Sequence, residues 1–365
     1  MDKLKNAREK INKIDKQMAE LFESRMKAVK EIANYKIEHA MPIFDSNREE
    51  AVINQNSEYV KSDEVRPYYV NFISDTMSIS KRYQHKLLEG MKIAYSGVKG
   101  AFAYIAASKI FPDGNLVSYP DFTDAYNSVV TGDCDCAVLP IENSYAGEVG
   151  QVIDLLFSGN LFVNGIYELP ITHNLLGVKG ASIADIKKVV SHTQALNQCR
   201  EYIKEHGFDE EGIVNTAVAA KTVAELNDKS IAAIAGNETA ELYGLEIIEK
   251  NINTSNKNTT RFAVFSRCED KSRGAHMGDN FIMLFTVRHE AGALAKAINI
   301  IGKNGFNMKL LRSRSMKALL WEYYFYIEAD GNIHSPQGQN MLGELSSCCD
   351  KLKIAGTFTS NNELE

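Results

Sequence analysis

Arg25 stands where a helical heptad calls for an apolar residue. Around it, Leu4, Ala7, Ile11, Ile14, Met18, Leu21, Ala28, Ile32 and Tyr35 recur in a 3,4 alternation. Lys36 follows Arg25 by eleven residues, which brings it within about 20° of the same face and about 16 Å along the axis. Arg8 precedes Arg25 by seventeen residues, about 25 Å of helix. That is too far for both to grip one small molecule within one chain. An antiparallel pair of such helices brings Arg8 of one chain to Arg25 of the other. A later seam, Ile73, Met77, Ser80, Gln84, Leu87, sets two polar groups one turn apart among apolar ones. Buried polar groups need partners. Each such residue reads either as part of an interhelical hydrogen-bond network or as the wall of an anion-binding pocket. Arg25, Lys36, Ser80 and Gln84 together favour the pocket. Ser46-x-x-Glu49 reads first as a helix N-terminal capping box.

A second set of polar residues follows predicted strands. Glu142-Asn143-Ser144 follows CAVLPI, Ser191-His192-Thr193-Gln194 follows KKVV, Asn215-Thr216 follows GIV, and Gly97-Val98-Lys99-Gly100 follows KIAYS. Ligands of parallel α/β sheets bind beyond the carboxyl ends of strands. Each motif alone also reads as a helix cap or turn. Gly97-x-x-Gly100 lacks the remaining glycine and the acidic partner of a dinucleotide fingerprint, and no phosphate cradle is found, so no cofactor is expected. Cys134, Cys136, Cys199, Cys268, Cys348 and Cys349 have neither disulfide-framework nor zinc spacing. They read as reduced, buried thiols, and no metal is expected.

The elements that must position these residues fall into three parts. Residues 3–38 contain no Pro or Gly, Pro42 follows, a second helix starts near Asp45-Ser46, and a third runs from about Pro67 to Leu88. One helix of about 36 residues would be about 54 Å long, more than a small monomeric core covers, so a partner helix is implied. From Gly90, β-like and helical runs alternate in two series, which predicts a two-lobed, mainly parallel α/β region. Cys268–Asn280 reads as a linker. A βαββαβ order follows, of ferredoxin-like type, with a helix around 336–351 and a frayed tail, SNNELE. The boundaries expected are 1–89, 91–268 and 279–365. With 365 residues, two to three domains is the ordinary expectation, and a net charge of −6 gives no basic field for nucleic acid. No apolar run approaches the roughly 20 residues of a membrane span. The opening MDKLKNAREKINK has no apolar signal-peptide core. A cytoplasmic location is the expectation.

Ala7-Arg8-Glu9-Lys10-Ile11, Asp15, Arg25, Lys36, Asp45-x-x-Arg48-Glu49 and Ser80-x-x-x-Gln84 resemble the all-helical chorismate mutases across the whole first domain. The resemblance implies rearrangement of chorismate to prephenate, which needs no nucleophile and no cofactor. It implies that Arg25 and a partner chain's Arg8 bind the two carboxylates and that Lys36 and Gln84 donate to the ether oxygen. Glu49 and the backbone near Asp45 would hold the ring hydroxyl, with Arg48 and Ser80 completing the polar shell.

Leu139-Pro140-Ile141-Glu142-Asn143-Ser144, Ile171-Thr172-His173-Asn174-Leu175-Leu176, Ser191-His192-x-Gln194 and Asn258-Thr259-Thr260-Arg261-Phe262 resemble prephenate dehydratase over roughly residues 91–268. Thr193 stands where that family often has Pro. The resemblance implies a two-lobed, periplasmic-binding-like α/β fold and loss of water and CO2 from prephenate, with Thr260 the proton donor. Glu142, Asn143, Ser144, Thr172, Gln194 and Phe262 would belong to the substrate site. Arg261 reads either as a carboxylate partner or as structural, and His173 and His192 either as acid–base groups or as satisfied structural histidines.

Gly292-Ala293-Leu294 and Leu320-Trp321-Glu322-Tyr323-Tyr324-Phe325 resemble the α+β, ferredoxin-like ACT domains. This implies pairing of such domains and phenylalanine as effector, with Asn307 and Ser313 added to the expected contacts. The family's Glu-Ser-Arg-Pro motif appears as Arg312-Ser313-Arg314-Ser315, so Arg312 reverses a charge, and Ala295 stands where Val is usual. The combined expectation is a multidomain enzyme, a homodimer or tetramer, taking chorismate to phenylpyruvate and acting without nucleic acid or membrane. Two rivals stand beside it: a non-catalytic ligand sensor, and a dehydratase whose mutase-like domain only dimerises.

Overall fold

Without an internal proline or glycine, the first helix, α1 (Asp2–Glu38), runs for 37 residues. The computed structural model describes residues 2–39, 46–254, 258–269, 279–316, 323–359 and 362–364. Asp45, Leu320, Trp321, Glu322 and most of the expected linker lie outside them. The chain forms two compact units, Met1–Lys92 and Ile93–Glu365. In the first, α1 is joined by α2 (Ser46–Glu58) and α3 (Arg66–Glu89), with Pro67 in the first turn of α3 and Gly90, at positive φ, ending it. The core is small: Val29 and Ala33 of α1, with Ile73, Thr76, Met77, Ser80 and Gln84 of α3. The inward stripe of α1 therefore passes through Arg25, Val29, Ala33 and Lys36. The expected seam through Ala28, Ile32 and Tyr35 is exposed, because a straight 3.6-residue helix drifts away from a 3.5-residue repeat. Val29 and Ala33 share a face with Leu4, Ile11, Ile14 and Met18. These are 60%, 55%, 53% and 43% exposed, so within one chain that apolar face is covered only at its C-terminal end.

In the second unit the elements are β1 (Lys92–Ser96), α4 (Phe102–Ile110), β2 (Asn115–Tyr119), α5 (Phe122–Thr131), β3 (Cys136–Asn143), β4 (Gly147–Glu148), α6 (Gly150–Ser158) and β5 (Phe162–Pro170). The chain then crosses to a second lobe: β6 (Asn174–Gly177), β7 (Lys188–Ser191), α7 (Thr193–Gln198), α8 (Arg200–His206), β8 (Asp209–Gly212), α9 (Thr216–Leu226), β9 (Ile231–Ala235), α10 (Asn237–Tyr243) and β10 (Glu246–Glu249). It returns through β11 (Thr259–Ser266) and continues as β12 (Asp279–Val287), α11 (Ala293–Lys303), β13 (Met308–Ser315), β14 (Tyr323–Asp330), α12 (Pro336–Leu345) and β15 (Cys349–Thr359).

The second lobe is a sheet of order β10-β6-β9-β7-β8. The first lobe and the C-terminal strands share one sheet of order β13-β14-β12-β15-β5-β11-β3-β1-β2. Within the C-terminal part, the order β13-β14-β12-β15 is that of a ferredoxin-like βαββαβ unit. The expected, mainly parallel sheets are mixed. β1 runs parallel to β3, and β7 to β8 and β9, whereas β11 is antiparallel to both β3 and β5. The reason is connectivity: β11 re-enters the first lobe from the side on which β5 left it.

Period-2 alternation ties the C-terminal strands to two cores at once. Ile282 and Leu284 of β12 join Phe265, Leu139, Leu156 and Val163 in the core of the first lobe. Phe281, Met283 and Phe285 turn the other way, onto Ile301 of α11 and Met341 of α12. The last helix ends at Leu345, short of the expected 351, because β15 pairs with β12 from Cys349 to Thr359. The tail expected to fray pairs instead: Glu168 N donates to Asn362 O (2.9 Å), and Leu364 N donates to Glu168 O (2.8 Å). Three cysteines, Cys134, Cys136 and Cys199, are buried as expected, but Cys268 is exposed.

Gly356 (φ 149°) pairs with Val163 where β15 meets β5. A Cβ there would lie 2.0 Å from the Val163 carbonyl oxygen. Gly356→Ala is therefore expected to destabilise the second unit by about 2–4 kcal/mol. Urea unfolding followed by circular dichroism checks this, and an unmoved midpoint contradicts it.

Candidate active sites

In the helical unit, Arg25 is half-buried and donates from Nη1 to Ser80 Oγ. Ser80 Oγ donates in turn to Thr76 O at 2.8 Å. Burial lowers the pKa of Arg25 from its ordinary value, yet a guanidinium keeps its proton at neutral pH. One turn beyond Ser80, Gln84 is buried, and its Oε1 has no hydrogen-bond partner among the described residues. Lys36 is half-buried on the Arg25 face, and Arg8 is exposed. Thus Arg25, Ser80 and Gln84 come together, with Lys36 further along the same face. Arg48 is exposed on α2. The side chains of Ser46 and Glu49, and all of Asp45, lie outside the described residues. Two cations, a hydroxyl and an amide on these helix faces suit the binding of an anion.

The second site lies between the lobes. A cavity of ≈ 390 Å³ is lined from the first lobe by Ser96, Ala101–Ala103, Phe122, Pro140, Asn143, Val149, Thr260 and Phe262. The second lobe contributes His192, Gln194, Ala195, Gln198 and Val214–Thr216, and the crossings between lobes contribute Ile171, His173 and Asn258. Strand register builds its polar wall. Thr260 of β11 pairs with Asn143 of β3, and Arg261 pairs with Glu142. Alternation then sends Asn143 and Thr260 to the cavity and Glu142 and Arg261 to the opposite face. An irregularity between Arg261 and Phe262 sets Phe262 opposite Pro140, so that these two also line the cavity.

The Asn143 amide is oriented unambiguously. Its Oδ1 accepts the backbone N–H groups of Tyr145 (3.0 Å) and Ala146 (2.9 Å). Its Nδ2 must therefore donate, and it reaches Asn258 Oδ1 and Thr260 Oγ1, both at 2.9 Å. The Thr260 hydroxyl is thus an acceptor towards Asn143, and its own proton is left to donate. Asn258 Nδ2 passes the chain to Gln198 Oε1 (2.9 Å), which also lies 2.7 Å from His173 Nε2. The network links both lobes. Gln194 Nε2 closes it more loosely on Asn143 Oδ1 at 3.4 Å.

Several residues expected at this site are elsewhere. Ser144 Oγ accepts from Thr259 N (3.0 Å) and is not in the cavity wall, and Thr172 is exposed. Arg261 pairs with Glu142 (3.0 Å) and Glu328 (2.8 Å) behind the strands. His192 caps α7, accepting from Gln194 N, although its ring also borders the cavity. Gln198 was not among the expected site residues. Its spacing of four from Gln194 on α7 was the signal, since i and i+4 share a helix face. Phe102, too, became visible only when α4 folded against the crossing, edge-on to His173 at 5.8 Å. Among the described residues, no three His, Cys, Asp or Glu side chains could hold a metal ion, and no helix is long and apolar enough to cross a membrane.

Burial lowers the pKa of His173 from its ordinary 6.5, against a smaller raising effect of Gln198. The folded chain therefore holds the neutral ring. Its contribution to stability is intact above pH 6.5 and is lost as pH falls from there towards the lowered folded value. The urea midpoint of the second unit is expected to drop between about pH 7.5 and 5.5, and His173→Gln to flatten part of that drop. Identical slopes in the two proteins would contradict the assignment.

The chain matches the type II chorismate mutase family over residues 7–85 and the prephenate dehydratase family over residues 93–270. The bifunctional chorismate mutase/prephenate dehydratase of Buchnera aphidicola subsp. Schizaphis graminum (strain Sg) is 31% identical, covering 97% of this chain and 96% of that protein. Two solved structures each align with a TM-score of 0.69. One, GqqA, described as a novel type of quorum quenching acylase, is 31% identical over 74% of this chain and 98% of its own. The other, prephenate dehydratase from Arthrobacter aurescens in complex with L-Phe, is 25% identical over 75% of this chain and 92% of its own. With a mutase-type helical unit and a dehydratase-type cleft in one chain, this protein belongs to the bifunctional chorismate mutase/prephenate dehydratases, which convert chorismate to prephenate and prephenate to phenylpyruvate.

Proposed function

We propose that Asn143 and Thr260 are the centre of the dehydratase site, and that the fixed Asn143 amide, which leaves the Thr260 proton free to donate, carries this reading. Prephenate must lose its ring carboxylate and its ring hydroxyl. The electron pair of the breaking C–CO2 bond moves into the ring, and the C–O bond breaks as the hydroxyl takes up a proton. Water, CO2 and phenylpyruvate leave, and one proton is consumed. Thr260 relays that proton, because a threonine hydroxyl is too weak an acid to give it up outright. The wall is largely apolar, with Phe102, Phe122, Pro140, Val149, Ile171 and Phe262. Poor solvation of the carboxylate there favours its loss as neutral CO2. The side-chain carboxylate is held at helix N-termini from opposite lobes: α4, whose first turn has no side-chain cap, and α9 behind Asn215 and Thr216. Gln194 and Gln198 orient the substrate.

In the helical domain, residues 1–89, Arg25 binds one carboxylate of chorismate and Arg8 of a second copy binds the other. Lys36 and Gln84, through its amide N–H, stabilise the ether oxygen as the C–O bond breaks and the new C–C bond forms. Glu49 and the Asp45 backbone hold the ring hydroxyl, with Arg48 and Ser80 alongside. The exposed face from Leu4 to Met18 supports a homodimer at least, since a second α1 would cover it.

The segment 279–365 is read as an ACT domain that binds phenylalanine. Gly292 (φ 85°) starts α11, and Leu294 lines a cavity of ≈ 390 Å³ with Arg288, Glu290, Tyr323, Phe325 and Lys351. Ala293 belongs to the same turn. Ser313 lies on the exposed face of β13, the edge strand, and Asn307 Nδ2 donates to Asp330 (3.2 Å). The L-Phe complex of the Arthrobacter aurescens protein supports this reading.

Purified protein given chorismate should form prephenate and then phenylpyruvate. Arg25→Ala should lower mutase kcat/KM by about 10²–10³ and leave dehydration unchanged. Thr260→Ala should lower dehydratase kcat by about 10²–10⁴ and spare the mutase. Either variant at the parent rate removes its residue from the mechanism. Phenylalanine should slow dehydration, and an unmoved rate across a titration would rule out feedback through this segment.

A further inference from the structure

Glu142 of β3 and Glu148 of β4 stand directly opposite each other across a short antiparallel hairpin. Like charges in that position repel. The turn between them presents the Tyr145 and Ala146 N–H groups that fix the Asn143 amide. Whatever closes the hairpin therefore fixes Asn143, and through it the Thr260 hydroxyl.

Arg312, on β13 of the C-terminal part of the chain, reaches both carboxylates: its Nη2 bonds Glu142 Oε1, and its Nη1 lies 3.5 Å from Glu148 Oε2. The contact is built into its surroundings. Arg314, two residues on, bonds Glu148 and reaches Asp154 at 2.9 Å. Room for the Arg314 guanidinium exists because residue 150 is glycine, where a Cβ would fall 2.5 Å from its nitrogens. On the other side, Arg261 joins Glu142 to Glu328 of β14. Arg312, Glu142 and Glu148 are each about three-quarters buried, with exposures of 24%, 22% and 28%, so solvent screens them little.

We infer that Arg312 is a positioning residue for dehydration: it neutralises Glu142 and Glu148, holds the hairpin shut, and thereby aligns Asn143 with Thr260. The inference rests on the reading of Asn143 and Thr260 as the dehydratase site. It gives the C-terminal segment a part in basal catalysis, independent of any effector.

The test uses the full-length enzyme. Arg312→Met should lower dehydratase kcat about tenfold with KM within about threefold, since a small misplacement of a reacting group lowers turnover more than binding. Mutase kcat, measured in the same preparation, should stay within about twofold. Arg312→Lys keeps the charge and should lose less than about threefold. Removing one of the repelling carboxylates, in Arg312→Met with Glu148→Gln, should restore kcat to within about threefold of the parent, a recovery that lost packing would not give. Dehydratase kcat unchanged in Arg312→Met overturns the inference, and so does a loss that Glu148→Gln fails to recover. If Thr260→Ala itself dehydrates prephenate normally, the site reading has failed. If Thr260→Ala is inactive and Arg312→Met is not, only the role of Arg312 has failed.

Discussion

The second unit depends on two backbone N–H groups held by one side-chain oxygen. Tyr145 N and Ala146 N, in the turn after β3, bind Asn143 Oδ1 and so decide which way the amide faces. The polar chain across the cleft follows from that choice. Asn143 donates to Asn258 and Thr260, Asn258 donates to Gln198, and Gln198 accepts from His173. A buried chain of this kind is worth most when every member is satisfied. It also spans the lobes, since Gln198 sits on α7 of the second lobe and Asn143 at the end of β3 in the first. The cleft geometry and the hydrogen-bond geometry are thus one arrangement.

The faces of β3 and β11 divide the labour. On the cavity side stand Asn143, Thr260 and Phe262. Behind them stand Glu142 and Arg261, tied to Arg312 and Glu328 of the C-terminal strands. The shared sheet makes this possible, because β15 pairs with β5 and brings β12, β14 and β13 into the same sheet as β3 and β11. Lys353 of β15, half-buried, donates to Leu156 O and Gly159 O, both at 2.6 Å, at the C-terminal end of α6. Burial pushes its pKa down to about 8. The C-terminal strands are therefore part of the first lobe's packing.

The helical unit follows a different logic. Its polar groups lie on α1 and α3, and the apolar stripe that should cover most of α1 is open within one chain. Lone helices gain most of their stability from packing. A helix of 37 residues with Leu4, Ile11, Ile14 and Met18 exposed on its apolar face gains packing only towards its C-terminal end among the described residues.

Much of this was legible in the residues. The long first helix, the alternation of strands and helices, and the βαββαβ order followed from period and punctuation, which are local. Arg25, Ser80, Gln84 and Asn143 were legible from type and position, because a polar residue in an apolar pattern or at a strand end needs a partner, whereas Thr260 was named only through the resemblance to prephenate dehydratase. Tertiary structure decided which partner each one has. Glu142 and Arg261, neighbours of the site in sequence, turned to the opposite face because a strand alternates. Gln198 and Phe102 joined the site because distant elements fold against the crossing. Arg312 looked in sequence like a reversed charge in a regulatory motif and proved to be, with Arg261, a counter-ion of Glu142. Sequence alone determined which groups needed partners. Only the folded chain, by bringing together strands more than a hundred residues apart, determined which groups met.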